Sequence, residues 1–147
     1  MKKFLSTVFV AIAGIALFSA CTRHNIVITD PSSGSMNAIA AGKAITSTNC
    51  LGTQGSGVSI ITASFGNNTN ITFNLKTSIL TATTYNVDSS GADNNVEYSP
   101  NGVPVLSRSG SMVITNINPG INYTGSFNFT CVDGTVVSGT FTATAIK

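Results

Sequence analysis

The sequence predicts an all-β domain, an antiparallel β-sandwich or a flattened β-barrel, over residues 36–147, behind an N-terminal signal peptide. Three observations predict it. Apolar and polar residues alternate through most of this stretch, as in Ile71-Thr72-Phe73-Asn74-Leu75, the pattern of a half-buried strand. Clusters of Gly, Asn, Asp and Pro interrupt the alternation at short intervals and supply turns. No extended window keeps a helical period.

The elements follow in order. Met36 to Ala40 turns at Gly42-Lys43 into Ala44 to Cys50. A glycine-rich turn, Gly52 to Gly57, leads to Val58 to Phe65. Gly66-Asn67-Asn68-Thr69 then reverses the chain into Asn70 to Leu75. Lys76 to Thr83 is the one segment in which a helical turn fits. Two short strands, Thr84 to Val87 and Val96 to Tyr98, flank a polar loop from Asp88 to Asn95. Ser111 to Ile117 precedes the turn Asn118-Pro119-Gly120. Tyr123 to Cys131 and Val136 to Ile146 close the domain.

The last two strands specify their own register. Phe127, Phe129 and Cys131 share one face of the first, and Val137, Gly139, Phe141 and Ala143 share one face of the second. A two-residue Asp133-Gly134 turn would set Phe129 against Ser138 and mix the faces. A three-residue loop, Val132-Asp133-Gly134 with Gly134 left-handed, keeps the apolar faces together. It sets Phe127 opposite Gly139 and Gly125 opposite Phe141, so that each ring covers a glycine across the pair.

Residues 1–20 read as a lipoprotein signal peptide. Lys2 and Lys3 give a positive start, the run Phe4 to Phe18 is apolar, and Ser19-Ala20 puts small residues before Cys21. The run is short for a membrane span, which needs about 20 apolar residues. The segment Leu17-Phe18-Ser19-Ala20-Cys21 resembles the lipobox of bacterial lipoproteins. The resemblance implies lipidation of Cys21 and membrane attachment through that lipid. Residues 21–35 read as a tether because Pro31-Ser32-Ser33-Gly34-Ser35 has a linker composition, although Ile26-Val27-Ile28 could pair as a short edge strand. Thr22-Arg23-His24-Asn25 carries no acidic residue. The expectation is an outer-membrane anchor with the domain facing the periplasm.

Charge excludes one class of partner. After residue 20 the chain holds Arg23, Lys43, Lys76, Arg108 and Lys147 against Asp30, Asp88, Asp93, Glu97 and Asp133, so its formal charge balances. A neutral domain with scattered charges has no electrostatic footprint for nucleic acid. From Thr22 onward Ser, Thr and Asn supply 50 residues, which suits solvent-facing strand positions and turns.

Cys50 and Cys131 remain once Cys21 is lipidated. In an oxidising compartment two thiols suggest a disulfide; the alternative is two separately buried thiols packed as small hydrophobes.

Met36-Asn37-Ala38 with Gly42-Lys43, Gly110-Ser111-Met112-Val113-Ile114-Thr115, Tyr123-Thr124-Gly125-Ser126-Phe127-Asn128-Phe129 and Gly139-Thr140-Phe141 resemble small lipoproteins of unknown function common in Bacteroidota. That resemblance spans Met36 to the C-terminus and implies an exported all-β domain, with no activity attached.

The inventory for chemistry is thin. His24, in the tether, is the one histidine, so neither a Ser-His-Asp triad nor a Cys-His pair can form within the domain. Asp88, Asp93 and Glu97 are spaced to offer oxygen ligands to a weakly held Ca²⁺, but match no EF-hand. No cofactor is implied and no catalytic residue is assigned. The expected function is a membrane-anchored, non-enzymatic structural or binding domain at the cell envelope with a protein partner there. The alternative is a lipocalin-like carrier of a small apolar ligand.

Overall fold

The computed structural model describes residues 34–90 and 93–146, and within them the alternating segments form nine strands. They are β1 (Gly34–Ala40), β2 (Lys43–Gln54), β3 (Ser59–Phe65), β4 (Thr69–Leu75), β5 (Thr84–Asp88), β6 (Asn95–Ser99), β7 (Val105–Asn118), β8 (Asn122–Cys131) and β9 (Val136–Ile146). The signal peptide, Cys21 and Ile26-Val27-Ile28 lie outside the described residues.

Of the two predicted architectures, the structure is the barrel. Eight strands close into an antiparallel wall in the order β1-β2-β3-β4-β6-β7-β8-β9, with β9 paired back to β1. Closure leaves no long open edge of the kind that recruits other strands. β5 lies beside β7 on the same edge as β6, so that β6 covers the start of β7 and β5 its middle. Ser107 holds this junction: its Oγ accepts from the Val96 N–H at 3.0 Å and donates to the Asp88 carbonyl at 3.2 Å.

Strand burial alternates as the sequence requires, for example over β3 and β8. The inward residues make one core. It includes Met36, Ile61, Ile71, Phe73, Leu75, Val96, Met112, Ile114, Phe129 and Val137, each fully or almost fully buried. Phe73 on β4 reaches the far wall. Its ring centroid lies 5.2 Å from that of Phe127, 6.1 Å from Phe129 and 6.3 Å from Phe141. The rings therefore fill the barrel at this level.

The closing hairpin has the predicted register. Gly125 pairs with Phe141, Phe127 with Gly139 and Phe129 with Val137. The Cys131 N–H donates to the Thr135 carbonyl at 2.8 Å, and Gly134 has φ 90°. A three-residue loop with a left-handed glycine thus joins the strands.

Several boundaries differ from the sequence reading. β2 continues to Gln54, so Gly52 to Gln54 pair with β3 and are strand rather than turn. β1 begins at Gly34, so Gly34 and Ser35 are strand rather than tether. A side chain at Gly34 would collide with the Thr142 and Cys50 carbonyls, so this glycine serves a close approach between strands, not flexibility. β7 begins at Val105, earlier than predicted, because irregular pairing between Ser107 and Ser109 interrupts the alternation. Lys76 to Thr83 forms no helical turn. Thr77 Oγ1 instead bonds the Ile79 backbone, at 2.7 Å to its carbonyl and 3.3 Å to its N–H, while Leu80 is buried in the core. The 3-10 turn present is Pro100–Gly102.

Candidate functional site

Cys50 and Cys131 are both buried free thiols, which corrects the expected disulfide. A bridge requires Cα atoms within about 7 Å. Cys50 sits on β2 and Cys131 on β8, and the shorter path between those strands around the wall crosses β1 and β9. Cys131 faces inward by the alternation of β8, whereas the burial of β2 is irregular at Cys50; both lie in one core, not against each other. Burial pushes the Cys50 thiol up to about 12. Burial, with a smaller contribution from Asp133, pushes the Cys131 thiol up to about 11.

A prediction follows from this chemistry, since only the thiolate attacks a disulfide reagent. In the folded, unreduced protein at neutral pH, Ellman's reagent should detect neither thiol; in denaturant without reductant it should detect both. Failure to detect them after unfolding would restore the disulfide. The sign of the pH effect is also fixed. Folding keeps both thiols protonated, so their contribution is complete below the unfolded thiol value of roughly 8.5 and is lost as pH rises toward the folded values.

Asp88, Asp93 and Glu97, the weak calcium candidates, are not gathered into one group. Asp88 Oδ1 accepts from Ser90 N–H at 2.8 Å and from Ser90 Oγ at 2.7 Å, forming a local turn. Glu97 lies on β6 opposite Thr72 and Leu106, where Ser99 Oγ donates to its Oε1 at 2.8 Å. No group of three metal-ligating side chains occurs among the described residues. The separation has a simple cause, because residue 97 belongs to a strand of the wall and not to the loop.

Asp88 and Asp93 do share a polar wall groove of about 370 Å³ with Lys76, Tyr85 and Asn94. Asn94 builds it. Its Oδ1 accepts from the Lys76 N–H at 2.8 Å, and its Nδ2 donates to the Asn86 carbonyl at 3.0 Å. Both ends of the amide are thus engaged in holding β5 to the end of β4. Sequence reading missed this asparagine, because one Asn among many carries no distinguishing signal.

A second, apolar groove of about 360 Å³ lies on the wall around Ile39, Ala44 and Thr46. Two tyrosine hydroxyls are engaged within the barrel. Tyr85 Oη accepts from the Thr81 N–H at 2.8 Å, and Tyr123 Oη accepts from Gln54 Nε2 at 2.8 Å. Burial, then Cys131 and Asp133, raise Tyr98 above the ordinary phenol range.

Comparison with protein families, with curated proteins and with solved structures finds no match to this chain.

Proposed function

We propose that this chain is a lipid-anchored protein of the bacterial cell envelope whose barrel has a non-enzymatic structural or binding role. The observation that carries this reading is the N-terminal sequence. Lys2-Lys3, the apolar run to Phe18 and Ser19-Ala20-Cys21 form the substrate of lipoprotein processing, and the barrel starts soon after, at Gly34. The likeness to small lipoproteins of Bacteroidota supports the same assignment. A role without catalysis is supported by the lack of any histidine after His24 and by carboxylates engaged in local turns and strands. The closed barrel also suits a carrier of a small apolar ligand. The phenylalanines that meet across its interior favour a packed interaction module instead.

The chain is proposed to sit in the outer membrane and face the periplasm, since Thr22-Arg23-His24-Asn25 lacks acidic residues. Acyl chains contribute about 0.8 kcal/mol per buried methylene, so more than one gives stable attachment. The test is metabolic labelling with a fatty-acid analogue. The wild type should incorporate label and fractionate with membranes, and Cys21→Ser should lose both. An unmodified wild-type N-terminus by intact mass would reject the anchor. Digestion of the domain by protease added to intact cells would reject the orientation alone.

A further inference from the structure

The barrel has two ends, and the chain from Cys21 joins one of them. β1 runs from Gly34 at one end to the Ala41–Gly42 turn at the other. The register puts four features at the Gly34 end: the β2–β3 turn after Gln54, the segment following Leu75, the β7–β8 turn and the end of β9. Gln54 pairs with Ser59, Ser59 with Leu75, Thr53 with Ile146, and Asn122 with both Asn118 and Thr144.

This end presents isoleucines to solvent. Ile79 is 67% exposed and Ile121 is 56% exposed, with Ile146 and Ile60 also exposed on the adjoining wall. Neither turn isoleucine is loosely held. Ile79 is fixed by Thr77 Oγ1 on one side and by buried Leu80 on the other. The Ile121 N–H donates to the Asn118 carbonyl at 2.9 Å, and its carbonyl accepts from the Ala145 N–H at 2.9 Å. Their side chains add nothing to the core.

Connectivity points to what covers them. The three turns, residues 55–58, 76–83 and 119–121, contain no carboxylate and one lysine, Lys76. Asp93 stands beside that lysine at the same end, because Asn95 pairs with Asn74 and Asn94 Oδ1 accepts from the Lys76 N–H, so the surface there is balanced in charge. Beyond Gly34, β2 and β9 pair directly through Leu51–Thr53 and Thr144–Ile146. Residues 22–33 then join this end to Cys21. A tether of that length spans at most roughly 40 Å. It keeps the Gly34 end close to the bilayer, where even a weak contact is made at high effective concentration.

We infer that the Gly34 end of the barrel rests on the membrane that holds the anchor, with Ile79 and Ile121 seated at the boundary between lipid headgroups and acyl chains. The inference rests on the lipid-anchor reading and adds an orientation to it. Exposed apolar side chains on a surface with little net charge favour that position. The opposite end, which also exposes Ile39, Val103, Val132 and Val136, carries no tether and faces away.

The experiment uses the full lipidated chain in vesicles of phosphatidylethanolamine and phosphatidylglycerol. An environment-sensitive fluorophore is attached through Ile79→Cys, Ile121→Cys, Val103→Cys or Val132→Cys, and quenched with aqueous iodide. All four positions are more than half exposed, and thermal melts matching the parent check that the fold is kept. The expected result is a blue shift and loss of quenching at positions 79 and 121, with positions 103 and 132 fully quenched. Equal quenching at both ends in protein that floats with the vesicles overturns the seating and leaves the anchor intact. Protein that does not float overturns the anchor and the seating with it.

Discussion

Replacing Phe73 by alanine is expected to cost about 3–5 kcal/mol of folding stability, near the upper range for core truncations. The position explains the size. Phe73 is fully buried on β4 and touches Phe127, Phe129 and Phe141, which belong to β8 and β9 on the other side of the barrel. Phe127 and Phe129 also meet each other at 6.0 Å between centroids. Removal of Phe73 deletes the ring that links the two walls and leaves a hole in a rigid closed cylinder. Neighbours attached to hydrogen-bonded strands cannot collapse far into it, so the cavity contribution stays large. Edge-to-face ring pairs add about 0.5–1.5 kcal/mol each beyond their burial. A small domain has roughly 5–15 kcal/mol in total, so urea unfolding should show a much lower midpoint with a similar slope. A loss below about 1 kcal/mol, within the range of surface changes, would show that the interior is not packed as described.

The same residues show how far a sequence of this type can be read. β9 was legible to both ends, and β8 to within Asn122, because apolar and polar positions alternate there without interruption. The turn between them was legible because only one loop length keeps Phe127 and Phe129 on the face of Phe141. Where pairing slips, legibility stops. The first half of β7 was missed because the stretch from Ser107 to Gly110 breaks the two-residue period. Gly34 was read as linker, since a glycine required by close packing looks like one chosen for flexibility. Period two places a residue on a face but says nothing about which strand stands beside it. It put Cys131 on the face of Phe127 and Phe129 and could not reveal that β1 and β9 separate it from Cys50. Nor could it separate sandwich from barrel, a choice made by the pairing of β9 with β1 and of β7 with β8. The candidate surface was the least legible part. Ile79 and Ile121 stand in turns, outside any periodic pattern, and their exposure is visible only once Leu80 and the strand ends are placed.

Gly139→Ala should be nearly as damaging as the loss of Phe73, although it adds a single methyl group. A Cβ at Gly139 would strike the Asn37 carbonyl oxygen and come within 2.8 Å of Phe127 Cζ and 2.9 Å of Ala38 Cα. The first and third of these are backbone atoms of β1, held in the ladder that joins β1 to β9. They cannot move without breaking barrel closure. The Phe127 ring cannot move either, since it lies over Gly139 and against Phe73. Overpacking of this kind costs typically 1–3 kcal/mol and more when backbone must shift, and we expect about 3 kcal/mol. Two other glycines separate this steric argument from the intrinsic effect of the substitution. At Gly66 a Cβ meets nothing within 4 Å and the φ is ordinary, so Gly66→Ala should be neutral or slightly stabilising through the unfolded chain. At Gly134 there is equally open space but φ is +90°, so Gly134→Ala should cost on the order of 1 kcal/mol from backbone strain alone. The expected order of denaturation midpoints is therefore Gly66→Ala highest, Gly134→Ala intermediate and Gly139→Ala lowest. If Gly139→Ala melts with Gly66→Ala, Phe127 does not cover Gly139, and the repeated Gly-x-Phe pattern of β8 and β9 needs another explanation.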